Sequence, residues 1–378
     1  MRNANIKSNR IAIVYQYKYP ESRGGGERRL FEVFKRFDCP IDWYVQCTDK
    51  NSNDSVIHYI PLSRGKFKYR STSETLLWTI MVLKIPFDKY NIIHIGQMPF
   101  FHIFSLIFKL NIYRLLRMKR PILTIDWWEY WGAYWYKFKF PLNIIGIVVE
   151  KFILRYSDSF IVISNKTKSD IEKFTKGNIS LIHNGIDLQL INSAKIKKSA
   201  NFIYFGRLEK HKSVDRSIEV FNELIKLNPK YTFEIIGDGS HKKALESLVL
   251  QLNLSSNIHF SGRLDDDLEM YSLVKGADCM LFFGTQEGGG SITLFEANAC
   301  GTPIAHSYSK NGIDKDLVTE QTGFFFNDFD KVKIAKELHL YVQNSERKQI
   351  MSEACIDFVK DKDWDNISRK YKRYFREK

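Results

Sequence analysis

Residues 201–227 read NFIYFGRLEKHKSVDRSIEVFNELIKL, and their pattern points to the fold class. NFIYF (201–205) is an apolar run of strand length. SVDRSIEVFNELIKL (213–227) puts Val214, Ile218, Phe221 and Ile225 on one helical face, with Ser213 as candidate N-cap. The turn between them carries Gly206, Arg207 and Lys212. Two cations between a strand end and a helix start can neutralise a diphosphate, although taken alone such a pair is more often a solvated charge cluster.

The alternation continues on both sides of this stretch. Downstream, TFEIIG, NIHFSG, CMLFF and GFFF read as strands. Upstream, IAIVYQ (11–16) precedes GGGERRLFEVFKRF (24–37), whose Leu30, Phe31, Phe34 and Phe37 recur at helical spacing. DWYVQC, VIHYI, NIIHI, ILTI and SFIVIS read as the strands that follow. Apolar strands alternating with helices predict parallel sheets covered on both faces. DLQLINSAKIKKSA (187–200), polar, basic and without periodicity, reads as a linker. The expected architecture is α/β: two doubly wound Rossmann-like domains facing across a cleft, with the ligand at the carboxyl ends of both sheets. The boundaries expected are 1–187, a linker 188–200, 201–355, and a C-terminal helix in 356–378 that packs back on the first domain.

Composition excludes several classes. At 378 residues, 44% hydrophobic and 26% charged, the chain suits globular domains and not wholesale disorder. The beginning, MRNANIKSNRIAIVYQ, lacks a signal-peptide apolar run. The apolar stretches near 98–112 and 141–154 fall short of a membrane span of about 20 residues. Five scattered cysteines without a CxxC pair fit a reducing cytoplasm and argue against zinc. The formal charge of +14 is uneven, with 32 Lys+Arg against 16 Asp+Glu in residues 1–200. Such a field attracts nucleic acid, anionic lipid or a phosphorylated substrate, or simply keeps the chain soluble. In residues 98–120, MPFFHIFSLIFKLNIYRLLRMKR, phenylalanines and leucines mix with Lys109, Arg114, Arg117, Lys119 and Arg120. A helix of this kind either lies in an anionic membrane interface or is an internal helix with an exposed basic end.

Two glycine-rich turns carry the remaining chemistry. Gly24-Gly25-Gly26-Glu27-Arg28 follows the first strand and opens a helix, so it can bring backbone N–H groups to a phosphate. It lacks the G-x-G-x-x-G spacing of dinucleotide sites. Glu287-Gly288-Gly289-Gly290-Ser291 leads into a helix containing Glu296, a carboxylate among apolar flanks that requires a hydroxyl or cationic partner.

Together, GRLEKHK, EIIGDG, EGGGSITLFEANACGTP and His183-Asn184-Gly185-Ile186-Asp187 resemble the retaining GT-B glycosyltransferases of family 4, the glycosyl transferases group 1. GGGER, SDSFIVISNKTKSDI and Trp364 extend the resemblance over nearly the whole chain. It implies an acceptor-side first domain and a nucleotide-sugar-binding second domain. Arg207 and Lys212 would bind the donor diphosphate and Glu296 the ribose hydroxyls. Gly289, Gly290 and Ser291 would lie along the sugar and phosphates, Arg263 beside the base, and Gly25 and Gly26 against the phosphate. Uridine and guanosine diphosphate sugars are the donors most often implied. No metal or cofactor is implied, because cations and helix dipoles stabilise the leaving group while the acceptor attacks from the same face. Asp265-Asp266-Asp267 accordingly reads as an exposed loop.

The chain departs from the family pattern twice. Eight residues separate Glu287 from Glu296 where the family has seven, so Glu287 reaches the sugar only through a one-residue bulge. In TIDWWEYWGAYWYKF (124–138) no histidine stands where the family places one. Asp126 or Glu129 would then make the acceptor-side polar contacts, and the aromatic cluster would either stack on a sugar or lipid or pack a core. The expected function is transfer of a sugar from a nucleotide sugar to a glycan or lipid-phosphate-linked acceptor, in the cytoplasm or at the cytoplasmic membrane face. The alternative is a GT-B relative that binds nucleotide or glycan without turnover. A nucleic-acid partner is disfavoured, because no nucleic-acid-binding module is present.

Overall fold

The computed structural model describes residues 10–21, 24–46, 56–63, 72–198, 200–289, 291–309, 311–313 and 317–378. The chain divides into two compact units: residues 1–183 with 364–378, and residues 184–363. The divisions thus fall at 183/184 and 363/364, where the sequence suggested 187/188 and 355/356.

The first unit is built on seven parallel strands, ordered β3-β2-β1-β4-β5-β6-β7. They are β1 (Ile11–Val14), β2 (Ile41–Gln46), β3 (Ile57–Ser63), β4 (Ile92–Gly96), β5 (Ile122–Trp127), β6 (Ser159–Val162) and β7 (Asn178–Leu181). Its helices are α1 (Gly25–Phe34), α2 (Thr72–Met81), α3 (Phe100–Leu115), α4 (Leu142–Tyr156) and α5 (Asn165–Glu172). Strands buried on both faces need apolar residues at successive positions, which is why IAIV and SFIV contain no alternation. β5 is mixed. Leu123, Ile125 and Trp127 join the apolar core, while Thr124 and Asp126 are buried on the opposite face.

The second unit has six parallel strands, ordered β10-β9-β8-β11-β13-β15. They are β8 (Phe202–Phe205), β9 (Phe233–Ile236), β10 (Ile258–Gly262), β11 (Cys279–Leu281), β13 (Ile304–Ser307) and β15 (Gly323–Phe326). A two-stranded parallel ribbon joins β12 (Gln286–Gly289) to β14 (Asn311–Ile313). The helices are α6 (Leu188–Ser193), α7 (Val214–Leu227), α8 (Lys242–Gln251), α9 (Asp267–Gly276), α10 (Ile292–Ala299), α11 (Lys331–Gln343) and α12 (Ser345–Val359). Both units are therefore Rossmann-like and doubly wound.

Residues 188–200 do not form the linker read from their composition. They open with α6, capped by the Asp187 carboxylate, and Ile191 is fully buried in the core of the second unit. Lys275 Nζ then donates to the Ala194 carbonyl at 2.9 Å and Lys197 N–H to Ser272 O at 3.0 Å. The last helix, α13 (Trp364–Arg376), belongs to the first unit. It buries Trp364, Ile367, Tyr371, Tyr374 and Phe375 on one stripe, and Ser368 Oγ donates to Val33 O of α1 at 2.9 Å. Four of the five cysteines are described, and all four are buried free thiols; Cys47 lies outside the described residues.

Candidate functional site

In the second unit the candidate donor groups gather at the carboxyl ends of β8, β9 and β10. Gly237, which follows β9, has φ +145°, and a Cβ there would stand 1.9 Å from the Gly206 carbonyl oxygen. Only a glycine at 237 lets these two turns approach so closely, and Gly206 itself has φ +146°, so GRLEKHK and EIIGDG each carry a glycine there. The next residue, Arg207, is exposed, and Lys212 is half-buried in the turn Lys210–Lys212. Between them the Glu209 carboxylate accepts Ser240 Oγ at 2.5 Å and Ser240 N–H at 3.3 Å. Burial alone would raise this carboxyl; the Ser240 bonds and nearby Arg207 and His211 outweigh it and hold it below its ordinary value. The two cations thus stand on a loop braced against the GDGS turn.

Ser213 occupies the N-cap position of α7, but its hydroxyl does not cap the helix. It pairs instead with Thr285 Oγ1 at 3.1 Å, and the Lys210–Lys212 turn packs on β12. The cationic turn and the glycine-rich loop are therefore neighbours. β12 pairs Gln286 with Asn311 and Gly289 with Ile313, so three steps on one strand meet two on the other. The register therefore shifts by one residue between Gln286 and Gly289, the stretch that carries Glu287 and Gly288. Gly290 lies outside the described residues.

α10 begins at Ser291, whose hydroxyl pairs with Thr293 Oγ1 at 2.6 Å and makes no cap bond, so the helix start carries no side-chain cap. Glu296 is buried and accepts the Tyr271 hydroxyl of α9 at 2.7 Å, the partner its apolar flanks required. The GTP motif closes α10: Thr302 N–H donates to Ala297 O at 2.9 Å and Thr302 Oγ1 to Val274 O at 2.7 Å. Arg263 is exposed 3.7 Å from Asp265, while Asp266 caps α9 by accepting Leu268 N–H at 2.8 Å. Among the described residues no group of three or more His, Cys, Asp or Glu could hold a metal ion.

In the first unit, Gly25 and Gly26 form the first turn of α1, again without a side-chain cap. A Cβ on Gly26 would stand 2.3 Å from Trp128 Cη2, so the glycine admits the indole ring of the 124–138 segment. That segment is clamped by buried Gln97. Its Oε1 accepts Trp128 N–H at 2.8 Å and Glu129 N–H at 3.1 Å, and its Nε2 donates to Glu129 O at 2.5 Å. Glu129 is half-buried and accepts Trp131 Nε1 at 2.8 Å. Beneath the loop, Glu150 of α4 accepts Trp131 N–H, Gly132 N–H and Trp135 Nε1. Burial pushes its carboxyl up to about 7 even against those three donors.

Asp126 is placed differently from its neighbour Glu129. It is fully buried, with Arg29 Nε 3.1 Å from Oδ2, the Tyr371 hydroxyl 2.5 Å from Oδ1 and His94 Nε2 3.7 Å from Oδ1. Arg29 also donates to the carbonyls of Ile182 and His183, at 2.8 and 2.7 Å. A carboxylate so enclosed ties α1, β5, the 182–183 segment and α13 together, and it presents no surface to an acceptor. The acceptor contact expected of Asp126 is corrected accordingly, and Glu129 is the acidic residue nearer the surface. Sequence reasoning passed over Arg29 and Tyr371, whose only signals were a second arginine after GGGER and a tyrosine on the buried stripe of α13.

Comparison with known proteins gives this geometry its context. Residues 187–357 match the model of the glycosyl transferases group 1, and residues 24–190 match that of glycosyltransferase family 4. An uncharacterized glycosyltransferase of Methanocaldococcus jannaschii is 26% identical over 239 residues, 60% of either chain. Among solved structures, sucrose-phosphate synthase from Thermosynechococcus elongatus superposes with a TM-score of 0.76 at 18% identity, covering 98% of each chain. Anabaena HepE in complex with UDP gives 0.74 at 15% identity, over 97% of this chain and 99% of that one. The fold is GT-B, and the two glycosyltransferase family models between them match residues 24–357 of the chain. The matched stretches span 54–64% of the length of the first curated relatives.

Proposed function

We propose that the chain transfers a sugar from a nucleoside-diphosphate sugar to a saccharide or lipid-phosphate-linked acceptor, with retention of anomeric configuration and without a metal ion. The observation that supports this most strongly is the packing of the Lys210–Lys212 turn on the bulged glycine loop in one unit. Arg207 and Lys212 would take up the charge of the departing diphosphate, assisted by the uncapped start of α10. Cations fixed in this way do the work for which other transferases use a divalent ion. Glu296 would read the ribose hydroxyls from its place beside Tyr271, with Arg263 near the base. Glu287, Gly289, Gly290 and Ser291 would line the sugar and phosphates, and Gly25 and Gly26 would bind phosphate through the start of α1. Glu129 would supply the acceptor-side polar contact. The UDP and UDP-glucose complexes of HepE make uridine diphosphate sugars the first donors to try. The reaction would take place in the cytoplasm or at the cytoplasmic face of the membrane.

The test is a binding and hydrolysis screen of the purified chain against nucleotide sugars, beside an Arg207→Ala/Lys212→Ala variant. Loss of two charge-assisted phosphate contacts should weaken the preferred donor by about 100-fold or more. Failure of every donor to bind would sink the reading. One observation favours a second reading, a relative that binds donor without turnover: of the two acceptor-side candidate acids, Asp126 is enclosed in an ion pair. Saturable donor binding with no sugar release or transfer to lipid-phosphate or glycan acceptors would establish that alternative.

A further inference from the structure

We propose that α2, α3 and α4 together form a face that docks on an anionic lipid bilayer. Among the described residues of the first unit, every large apolar side chain left exposed falls between Leu76 and Tyr156, on these helices or the segments joining them. α3 packs between α2 and α4, so the exposed positions belong to one surface. On α3, Phe104, Phe108 and Ile112 follow at four-residue steps, and the helix ends in Leu115 and Leu116, 82% and 62% exposed. α4 adds Ile144, Ile145 and Val148, and the Phe104 and Phe152 rings meet at 5.0 Å where the two helices join. Scattered exposed leucines are ordinary, whereas a run across three adjacent helices marks an interaction surface.

The charges on this surface identify its occupant. Residues 98–156 contain nine Lys and Arg against three acids. Two of those acids, Asp126 and Glu150, are buried, and the third, Glu129, is half-buried. Lys109 is turned inward, donating to the Leu83 and Ile85 carbonyls at 2.7 and 2.6 Å, and Arg120 pairs with Asp158 at 3.2 Å. The exposed remainder of these residues is cationic, while α2 and the segment after it add Lys84 and Lys89 against Glu74 and Asp88. Arg114, Arg117 and Lys119 surround Leu115 and Leu116, and Lys151 and Arg155 follow the apolar turns of α4. Apolar side chains that enter the acyl boundary, rimmed by cations at phosphate level, suit a lipid surface of negative charge. A protein partner would need carboxylates to match, and a second copy of the same face would bring like charges together. Among the described residues no helix is long and apolar enough to cross a membrane, so the contact is interfacial.

This inference stands apart from the transferase reading, because vesicle binding and donor binding are separate assays and each can fail alone. The purified full chain is sedimented with phosphatidylglycerol/phosphatidylcholine vesicles and with pure phosphatidylcholine vesicles, at low and high salt. A Leu115→Glu/Leu116→Glu variant is compared with Leu250→Glu, an equally exposed leucine on α8 of the second unit. Thermal melting of all three proteins reports folding, and it should be unchanged because these side chains are exposed. Binding to anionic vesicles that weakens with salt should fall about tenfold or more in the double variant and persist in Leu250→Glu. The proposal is overturned by no binding to anionic vesicles at low salt, or by binding that the double variant leaves intact. It is also overturned if the double variant abolishes a concentration-dependent dimer in light scattering while vesicle binding is absent.

Discussion

The Tyr371 hydroxyl donates to the Asp126 carboxylate at 2.5 Å across 245 residues of sequence. Burial pushes the Tyr371 hydroxyl well above its ordinary value, so it remains a donor at any working pH. Burial would also raise Asp126, but the Arg29 guanidinium, then His94 and Tyr371, outweigh it and hold the carboxyl below its ordinary value. Breaking the pair at one end strands a buried charge. Arg29→Met is therefore expected to destabilise the chain by about 3–5 kcal/mol, and Tyr371→Phe by about 1–3 kcal/mol, in urea unfolding. Because the folded-state value of Asp126 is depressed, its stabilisation is present above the unfolded value of about 4 and is lost as pH falls further. If Asp126→Asn kept wild-type stability and lost only activity, the structural role assigned here would be wrong.

Glu150 predicts the opposite pH dependence. Its carboxyl is raised to about 7, so the folded state holds this proton more tightly than the unfolded chain does. The resulting stabilisation is complete below the unfolded value of about 4.3 and is lost as pH rises through 7. Trp131 and Trp135 both donate to or adjoin this carboxylate, so tryptophan fluorescence should titrate with a midpoint near 7. Glu150→Gln should abolish that transition, and its persistence in the variant would reassign it to another group.

The two glycine contacts separate local from global effects. Gly237→Ala drives a methyl group into the Gly206 backbone oxygen, which has nowhere to go, so little folded second unit is expected on expression. Gly26→Ala meets the Trp128 ring, a side chain that can tilt. A cost of about 1–3 kcal/mol and a changed indole environment are expected in thermal melting and near-ultraviolet dichroism. An unchanged near-ultraviolet spectrum would mean that Trp128 does not rest on Gly26.

Tyr271→Phe removes the hydroxyl that meets the buried Glu296 carboxylate. Leaving that oxygen short of a donor should cost about 1–3 kcal/mol in stability. If Glu296 reads the ribose, the variant should also lose discrimination between UDP and its 2′-deoxy counterpart in calorimetric titrations. Equal discrimination in variant and parent would remove Glu296 from the ribose site.

The sheets were legible because β1, β4, β6, β8 and β9 are buried on both faces and so appear as mainly apolar runs, interrupted only by His94 in β4, Ser159 in β6 and Glu234 in β9. β13 was missed because IAHS ends in two polar residues, although His306 and Ser307 are both buried there. Residues 188–200 looked like a linker because their helix covers only six residues and buries little more than Ile191. At the site, glycines and cations close together in sequence were readable, since one turn holds them. Arg29 was not, because its partners lie 97 and 342 residues away and a buried arginine leaves no periodic mark. The composition did signal the mixture of cations and phenylalanines in residues 98–120, but the contributions of α2 and α4 to that surface depend on tertiary packing.

Since α13 belongs to the first unit, the second unit is, in the order of synthesis, an insertion. Residues 184–363 are contiguous and can close as soon as they leave the ribosome. The first unit, begun earlier, must wait for Tyr371 before Asp126 and Arg29 have their full set of partners. Where the chain enters and leaves the insertion, Ile186 N–H donates to Lys362 O at 2.9 Å, which splices the two crossings side by side. The older part of the protein is thus the last to be finished. A chain ending anywhere from residue 364 to 370 would contain the whole second unit and a first unit in which Asp126 and Arg29 lack Tyr371.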